Sequence, residues 1–256
     1  MSKNRILWIL LICAPLSLSA HDWGFLTNQN ASVEGAGAPD SAILDSLEYT
    51  ATVIPWLSAP LGKTGNLYFS ASAIALYQNE QWFIIPELLR TELDFGIKDR
   101  GELKIGRMNY TDPLGFIANG IFDGLQYAHE FSGRHSLSFG VWYTGFQYKK
   151  SANITMTEDD LNQYYTDLDY NDFFDTYFAP RRAFAALDWE IYGIGELGSF
   201  DFALIGQYDL SGSKKLYHNL YFMAKLIMPV KNVTFELGGC AELAEASEHF
   251  YVSFAG

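Results

Sequence analysis

Apolar and charged side chains alternate strictly along Leu89-Arg90-Thr91-Glu92-Leu93-Asp94-Phe95. Successive side chains of an extended strand point to opposite faces. The pattern therefore predicts Leu89, Leu93 and Phe95 on one face and Arg90, Glu92 and Asp94 on the other. The same period of two runs through 199–209, where Phe200, Phe202, Leu204 and Tyr208 oppose Asp201, Gln207 and Asp209. It recurs in 232–242, where Val233, Phe235 and Leu237 oppose Thr234, Glu236 and Glu242. Ile85, Leu89, Leu93 and Ile97 also fall at helical spacing, but a helix would carry Phe95 onto the polar side.

Read this way, the chain predicts strands at 46–58, 65–77, 83–97, 101–108, 123–132, 135–149, 183–195, 199–210, 216–229, 231–244 and 248–255. Most runs are 10 to 15 residues long. Strands of ordinary domains are ~5–6 residues, and strands that cross a membrane as a barrel are ~9–11. Connections near 60–64, 99–101, 132–134, 195–199 and 230–232 are short, whereas those near 78–82, 109–123, 151–182 and 211–215 are longer. Rough alternation of short and long connections is the habit of an antiparallel barrel whose two ends face different compartments.

The N-terminus bears on what the apolar faces touch. Met1-Ser2-Lys3-Asn4-Arg5 is a basic start, and 6–20 is an apolar run ending Leu18-Ser19-Ala20. That layout predicts a cleaved secretory signal peptide over 1–20, and the run is shorter than the ~20 residues a spanning helix needs. Removing Lys3, Arg5 and Cys13 with it leaves 15 basic against 30 acidic side chains and a single cysteine, Cys240. No intrachain disulfide can then form, and a chain this acidic is unsuited to binding nucleic acid. Aromatic residues make up 16% of the sequence. Several sit at run ends: Trp56, Tyr77 with Trp82, Tyr143 with Phe146 and Tyr148, and Tyr217 with Tyr221. Tyr and Trp favour the membrane–water boundary. Residues 21–45 carry no sustained period and read as a flexible N-terminal leader, with 46–256 as the barrel domain.

The fold expected is thus all-β, an antiparallel transmembrane β-barrel of about 10–12 strands, in preference to a soluble exported β-sandwich or lipocalin-like barrel. The runs number eleven and the last ends Phe254-Ala255-Gly256, without a terminal aromatic. Single-chain bacterial barrels have even strand numbers, so either one strand escapes the count or the barrel is incomplete in this chain.

A family resemblance appears within residues 103–125. Leu103-Lys104-Ile105-Gly106-Arg107, then Asp112 and Gly115-Phe116, then Phe122-Asp123-Gly124-Leu125, resemble the strand–loop–strand signature of outer-membrane porins of the alginate-export and related substrate-channel type. The resemblance implies an outer-membrane channel. The alginate exporters of that family have a strongly basic lumen, whereas this chain is acidic, so that substrate is not carried over.

Charges lining a water-filled pore select ions and steer solutes. The candidates for that wall are Arg90, Glu92 and Asp94 in one run, Glu102 and Lys104 in the next, and Asp188 and Glu190 further on, alternating with Leu187, Trp189 and Ile191. Arg107 is added although its parity matches Leu103 and Ile105; either a bulge at Gly106 re-aims it or it lies beyond the hydrocarbon. The segment 151–182 interleaves acidic residues with Tyr164, Tyr165, Tyr170, Phe173, Phe174, Tyr177 and Phe178, and reads as a pore-mouth constriction or a solvated surface loop. Arg181-Arg182 at its end would neutralise part of its charge. Asp167-x-Asp169-x-Asn171 begins like a calcium loop, but Asp172 occupies the glycine position and Phe178 that of the bidentate glutamate. His129, His135, Ser132 and Ser136 flank one turn without the ordered base and nucleophile of a hydrolase. The expectation is a channel, not an enzyme, with no cofactor or metal; its partners are membrane lipid and small solutes or ions, and its oligomeric state is left open. The runner-up is a non-conducting structural or adhesive surface barrel. Peptide sequencing of the exported protein is expected to begin at His21; a chain that retains 1–20 contradicts the signal-peptide reading.

Overall fold

The computed structural model describes residues 21–33, 47–78, 81–98, 100–154, 157–193, 198–212, 217–246 and 249–255. The expected signal peptide and residues 34–45 of the expected leader lie outside them. Twelve antiparallel strands form one sheet in chain order: β1 (Asp22–Val33), β2 (Leu47–Leu61), β3 (Gly65–Gln78), β4 (Gln81–Ile97), β5 (Gly101–Thr111), β6 (Asn119–Glu130), β7 (His135–Tyr143), β8 (Arg182–Tyr192), β9 (Ser199–Asp209), β10 (Tyr217–Val230), β11 (Val233–Ala246) and β12 (His249–Ala255). Among the described residues, helix occurs only between β7 and β8, as α1 (Glu158–Tyr165), a 3-10 turn (Tyr170–Asp172) and α2 (Phe173–Tyr177). β1 and β12, at the two ends of the sheet, share no pairing among the described residues.

Eleven strands fall where the alternation placed them. The twelfth is a correction: Asp22–Val33, expected in a flexible leader, pairs along its whole length with β2, from Asp22 opposite Ser58 to Val33 opposite Leu47. Its side chains carry no clean alternation, because Phe25 and Leu26 are consecutive and both exposed, so backbone pairing rather than a buried face holds it. β7 also ends earlier than 149, where the chain turns and the Gln147 N–H donates to the Thr144 carbonyl. The loop expected over 109–123 shrinks to 112–118 as β5 and β6 extend toward each other.

Directly paired residues share a face, so the register shows what each face is made of. One row runs Phe95, Leu103, Tyr127, Phe139, Leu187, Leu204, Phe222, Ala241, Phe254 across nine strands. The next runs Leu67, Leu93, Ile105, Leu125, Val141, Ala185, Gly206, Leu220, Leu243, Val252. No residue in either row is charged and only Tyr127 carries a polar group, and Phe139, Leu187, Phe222, Leu243, Val252 and Phe254 among them are exposed. The other face carries the charges, and the sheet curls around it: Tyr110 of β5 packs on Phe184 of β8 with ring centroids 5.8 Å apart.

Two local features reset this pattern. Ser70 pairs with Arg90 and Ala71 with Leu88, so Leu89 is the extra residue of a β-bulge. The bulge puts Glu87 and Arg90 on the same inner face, three positions apart, while Leu88 stays exposed outside. The bulge expected at Gly106 is absent, since β5 runs in register through it with both β4 and β6. Gly106 instead adopts φ +116°, and a Cβ there would overlap the Thr91 carbonyl oxygen.

Immediately after Gly106 the sheet parts. Pairing of β4 with β5 stops at Thr91 opposite Arg107, and pairing of β6 with β7 stops at Asp123 opposite Tyr143. The hairpin tip 108–122 therefore leaves both neighbours and folds across the interior. Met108, Tyr110, Ile117, Ala118 and Phe122 pack there against Trp142, Phe184, Ala186, Ala203, Ile205, Tyr221 and Met223. Leu114 at its tip reaches β11, where only the missing side chain of Gly238 leaves room for it. Gly106→Ala is expected to cost about 1–3 kcal/mol from backbone strain alone, read as a lowered midpoint of denaturant unfolding; an unchanged midpoint contradicts the role given to this φ.

Candidate functional site

Most of the charges that the alternation assigned to the inner face meet there. The Arg90 Nε donates to Glu92 Oε2 at 2.8 Å, and the guanidinium lies 4.7 Å above the Tyr68 ring. Glu92 is buried by this arrangement. Asp94 sits directly opposite Lys104, whose Nζ is 3.3 Å from Glu102 Oε2. On the β8 side, Asp188 accepts from the Tyr110 hydroxyl at 2.9 Å and from Ser138 Oγ at 3.2 Å. Glu190 accepts from the Tyr192 hydroxyl and stands opposite Asp201. Lys225 completes this side by pairing with Glu236 at 2.6 Å. Carboxylates outnumber cations on this face.

Tyr110 is what links the hairpin to the acidic wall. Between them lies a cavity of about 170 Å³, lined by Tyr110, Gln126, Ser138, Asp188, Glu190 and Asp201 among others. The hairpin tip is itself held by one carboxylate. Asp112, buried, accepts from the backbone N–H of Leu114 at 2.9 Å and Phe116 at 3.3 Å through Oδ1, and of Ile117 and Ala118 at 2.8 Å each through Oδ2. Four amides converging on one carboxylate make the turn a preformed unit.

Arg107 stands apart from the other seven candidates. It makes a two-pronged ion pair with Asp123, at 2.8 and 2.6 Å, and donates to the carbonyls of Leu88 at 2.6 Å and Phe146 at 2.9 Å. It thus fills the break in the sheet rather than lining the inner charged wall, and its buried guanidinium makes four hydrogen bonds there.

The connection 144–181 covers one end of the sheet. Its helix α1 starts with a capping box in which Thr157 and Asp160 satisfy each other's backbone amides. The Asp160 carboxylate also takes Nε of Arg182 at 3.1 Å together with Nη2, and Asp209 approaches the same Nη2 at 3.6 Å. All three side chains are buried, so one guanidinium serves two carboxylates out of water. Lys149, also buried, donates to the carbonyls of Gln163, at 3.1 Å, and Thr166 at the end of α1. Burial pushes its ammonium below the ordinary lysine value, and Lys150 beside it adds to the effect. The calcium-like stretch does local work: Asp169 Oδ1 accepts from the Asn171 N–H at 2.8 Å and caps the 3-10 turn.

Sequence reasoning met Asp112 only within the 103–125 resemblance, Asp209 only as a polar-face residue and Asp160 only as one acid of the 151–182 segment, and gave none of them a role of its own. Thr157-x-x-Asp160 was a readable helix-start signal, and Arg182 was noted only as a counter-charge for the loop. Comparison of the chain with protein-family models and with curated proteins finds no match to either. The likeness to alginate-export-type porins therefore rests on residues 103–125 alone. Arg182→Met is expected to cost about 3–5 kcal/mol, because it strands two buried carboxylates, with Arg182→Lys recovering only part, since an ammonium lacks the fork. Denaturant unfolding reads both; a neutral Arg182→Met contradicts the pairing.

Proposed function

We propose that the chain is an exported outer-membrane β-barrel of the porin-like, substrate-channel type, closed in the conformation described, which conducts small solutes or ions when its inner hairpin moves. One observation carries this reading: two unbroken apolar rows on the outside of the sheet against a charged inner face. Monomeric soluble proteins rarely expose contiguous apolar patches beyond a few hundred Å². A surface of this kind is stable where lipid, not water, is the outer solvent. Trp82, Trp189 and Tyr208 are exposed toward strand ends, as interfacial aromatics are. Inner carboxylates in excess over Arg90, Lys104 and Lys225 favour cations over anions in the lumen.

The hairpin gives a specific reason for a second reading. A tip packed on a continuous apolar cluster would make the barrel a plug-filled, non-conducting one, with its loops serving structure or adhesion. The two separate in a planar bilayer. Wild-type protein is expected to show rare, brief openings, and Asp112→Ala, which releases four amides of the hairpin turn, is expected to raise the open fraction at unchanged unit conductance. Glu92→Lys with Asp94→Lys is expected to shift the reversal potential toward anions. Folded wild type and Asp112→Ala that both stay silent contradict the channel and leave the surface barrel.

A further inference from the structure

Where β5 leaves β4, the wall of the sheet is closed by side chains instead of a strand. Three residues bind backbone groups of β4 along the break. Tyr170 spans both groups of Ile84, its oxygen accepting from the N–H at 2.8 Å and its proton going to the carbonyl at 2.7 Å. The Tyr177 hydroxyl donates to the Pro86 carbonyl, and Arg107 to that of Leu88. Pro86 has no N–H, so nothing at that position is left over. Tyr170 and Tyr177 both come from the connection 144–181, which thus stands in the place of a missing strand neighbour.

Such a closure differs from a strand ladder in one physical respect. It depends on two phenol side chains and one guanidinium, so it can open without breaking any strand pairing. Trp82, Ile84 and Leu88 border it and are exposed on the outer face. Beside it lies an open cavity of about 600 Å³, within the range of ligand pockets, ~300–1,000 Å³. Tyr143, Phe146, Phe174 and Phe178 give it aromatic walls, and Asp175 and Arg181 put one charge of each sign on its lining. Phe146 joins cavity to break, since its carbonyl accepts from Arg107.

We infer that this break is a lateral port, and that the cavity beside it takes a single-chain amphiphile entering from the lipid, its chain on the aromatic walls and its polar end near Asp175 and Arg181. The inference rests on the membrane reading above, and the test separates the two. Folded full-length protein lacking only its signal peptide is placed in phosphatidylcholine vesicles with a diazirine-bearing palmitic acid, irradiated and mapped by mass spectrometry. Adducts are expected on Phe146, Phe174 or Phe178 in addition to outer residues such as Phe139, Leu187 and Phe222. Tyr170→Phe with Tyr177→Phe keeps the rings and removes the bonds to β4, and is expected to raise cavity labelling about fivefold or more, the effect of losing an ordinary hydrogen bond of closure. Ile84→Cys with Tyr170→Cys, joined by a short bis-maleimide in a Cys240→Ala background, is expected to abolish it. Adducts confined to the outer rows, or cavity adducts indifferent to both variants, overturn the port while the membrane reading stands. Absence of adducts at both places overturns the membrane reading and the port with it.

Discussion

Strand parity is the constraint on which the rest of this structure depends. A side-chain period of two means that a slip of one residue would exchange the two faces of every strand. Twelve strands hold one register, so that apolar neighbours line up across nine or more of them in single rows. Charges such as Glu92, Asp94, Lys104, Asp188 and Glu190 all come to the opposite face as a consequence. No disulfide or metal cluster stabilises this arrangement among the described residues, and Cys240 is a free thiol. Backbone ladders and the alternation carry it.

The interesting places are those where the rule is interrupted. Leu89 is inserted opposite the Ser70–Ala71 step, and beyond it β4 loses its partner β5. Gly106 turns β5 away, freeing the hairpin tip to fill the interior. These events are one transaction in physical terms: taking the hairpin out of the wall leaves β4 with unmatched backbone groups, and the connection 144–181 supplies Tyr170 and Tyr177 to match them. In a membrane such groups could not be left to water, since none is there. The long aromatic connection therefore has a structural reason to exist apart from any solute that it meets.

Much of this was legible in the sequence. Arg90 to Phe95 gave the faces of β4 correctly, because a run of alternating apolar and charged residues has only one sensible extended arrangement, but Leu89, expected on the apolar face with Leu93 and Phe95, is instead the unpaired residue of the bulge. β8 and β9 were equally clear. β1 was not, because Phe25 and Leu26 break parity and its pairing with β2 is a backbone matter that side-chain pattern does not encode. Arg107 was recognised as out of step with Lys104, yet its destination depended on Leu88, Asp123 and Phe146, which lie far apart in sequence. Asp112 was visible only as one residue of the 103–125 resemblance; only a turn that gathers four amides reveals its part. Tyr170 and Tyr177 were visible as aromatics of an acidic loop, but their hydrogen bonds to β4 reach across 86 and 91 residues of sequence.

The central claim is that the two faces of the sheet meet two different solvents. Spin labels placed singly from 185 to 191 along β8, in a Cys240→Ala background in vesicles, measure this by relaxation with oxygen and with a water-soluble nickel chelate. The account predicts oxygen maxima at 187 and 189 and minima at 188 and 190, alternating residue by residue. Uniform access of the nickel chelate to both faces, or maxima at the even positions, would contradict it.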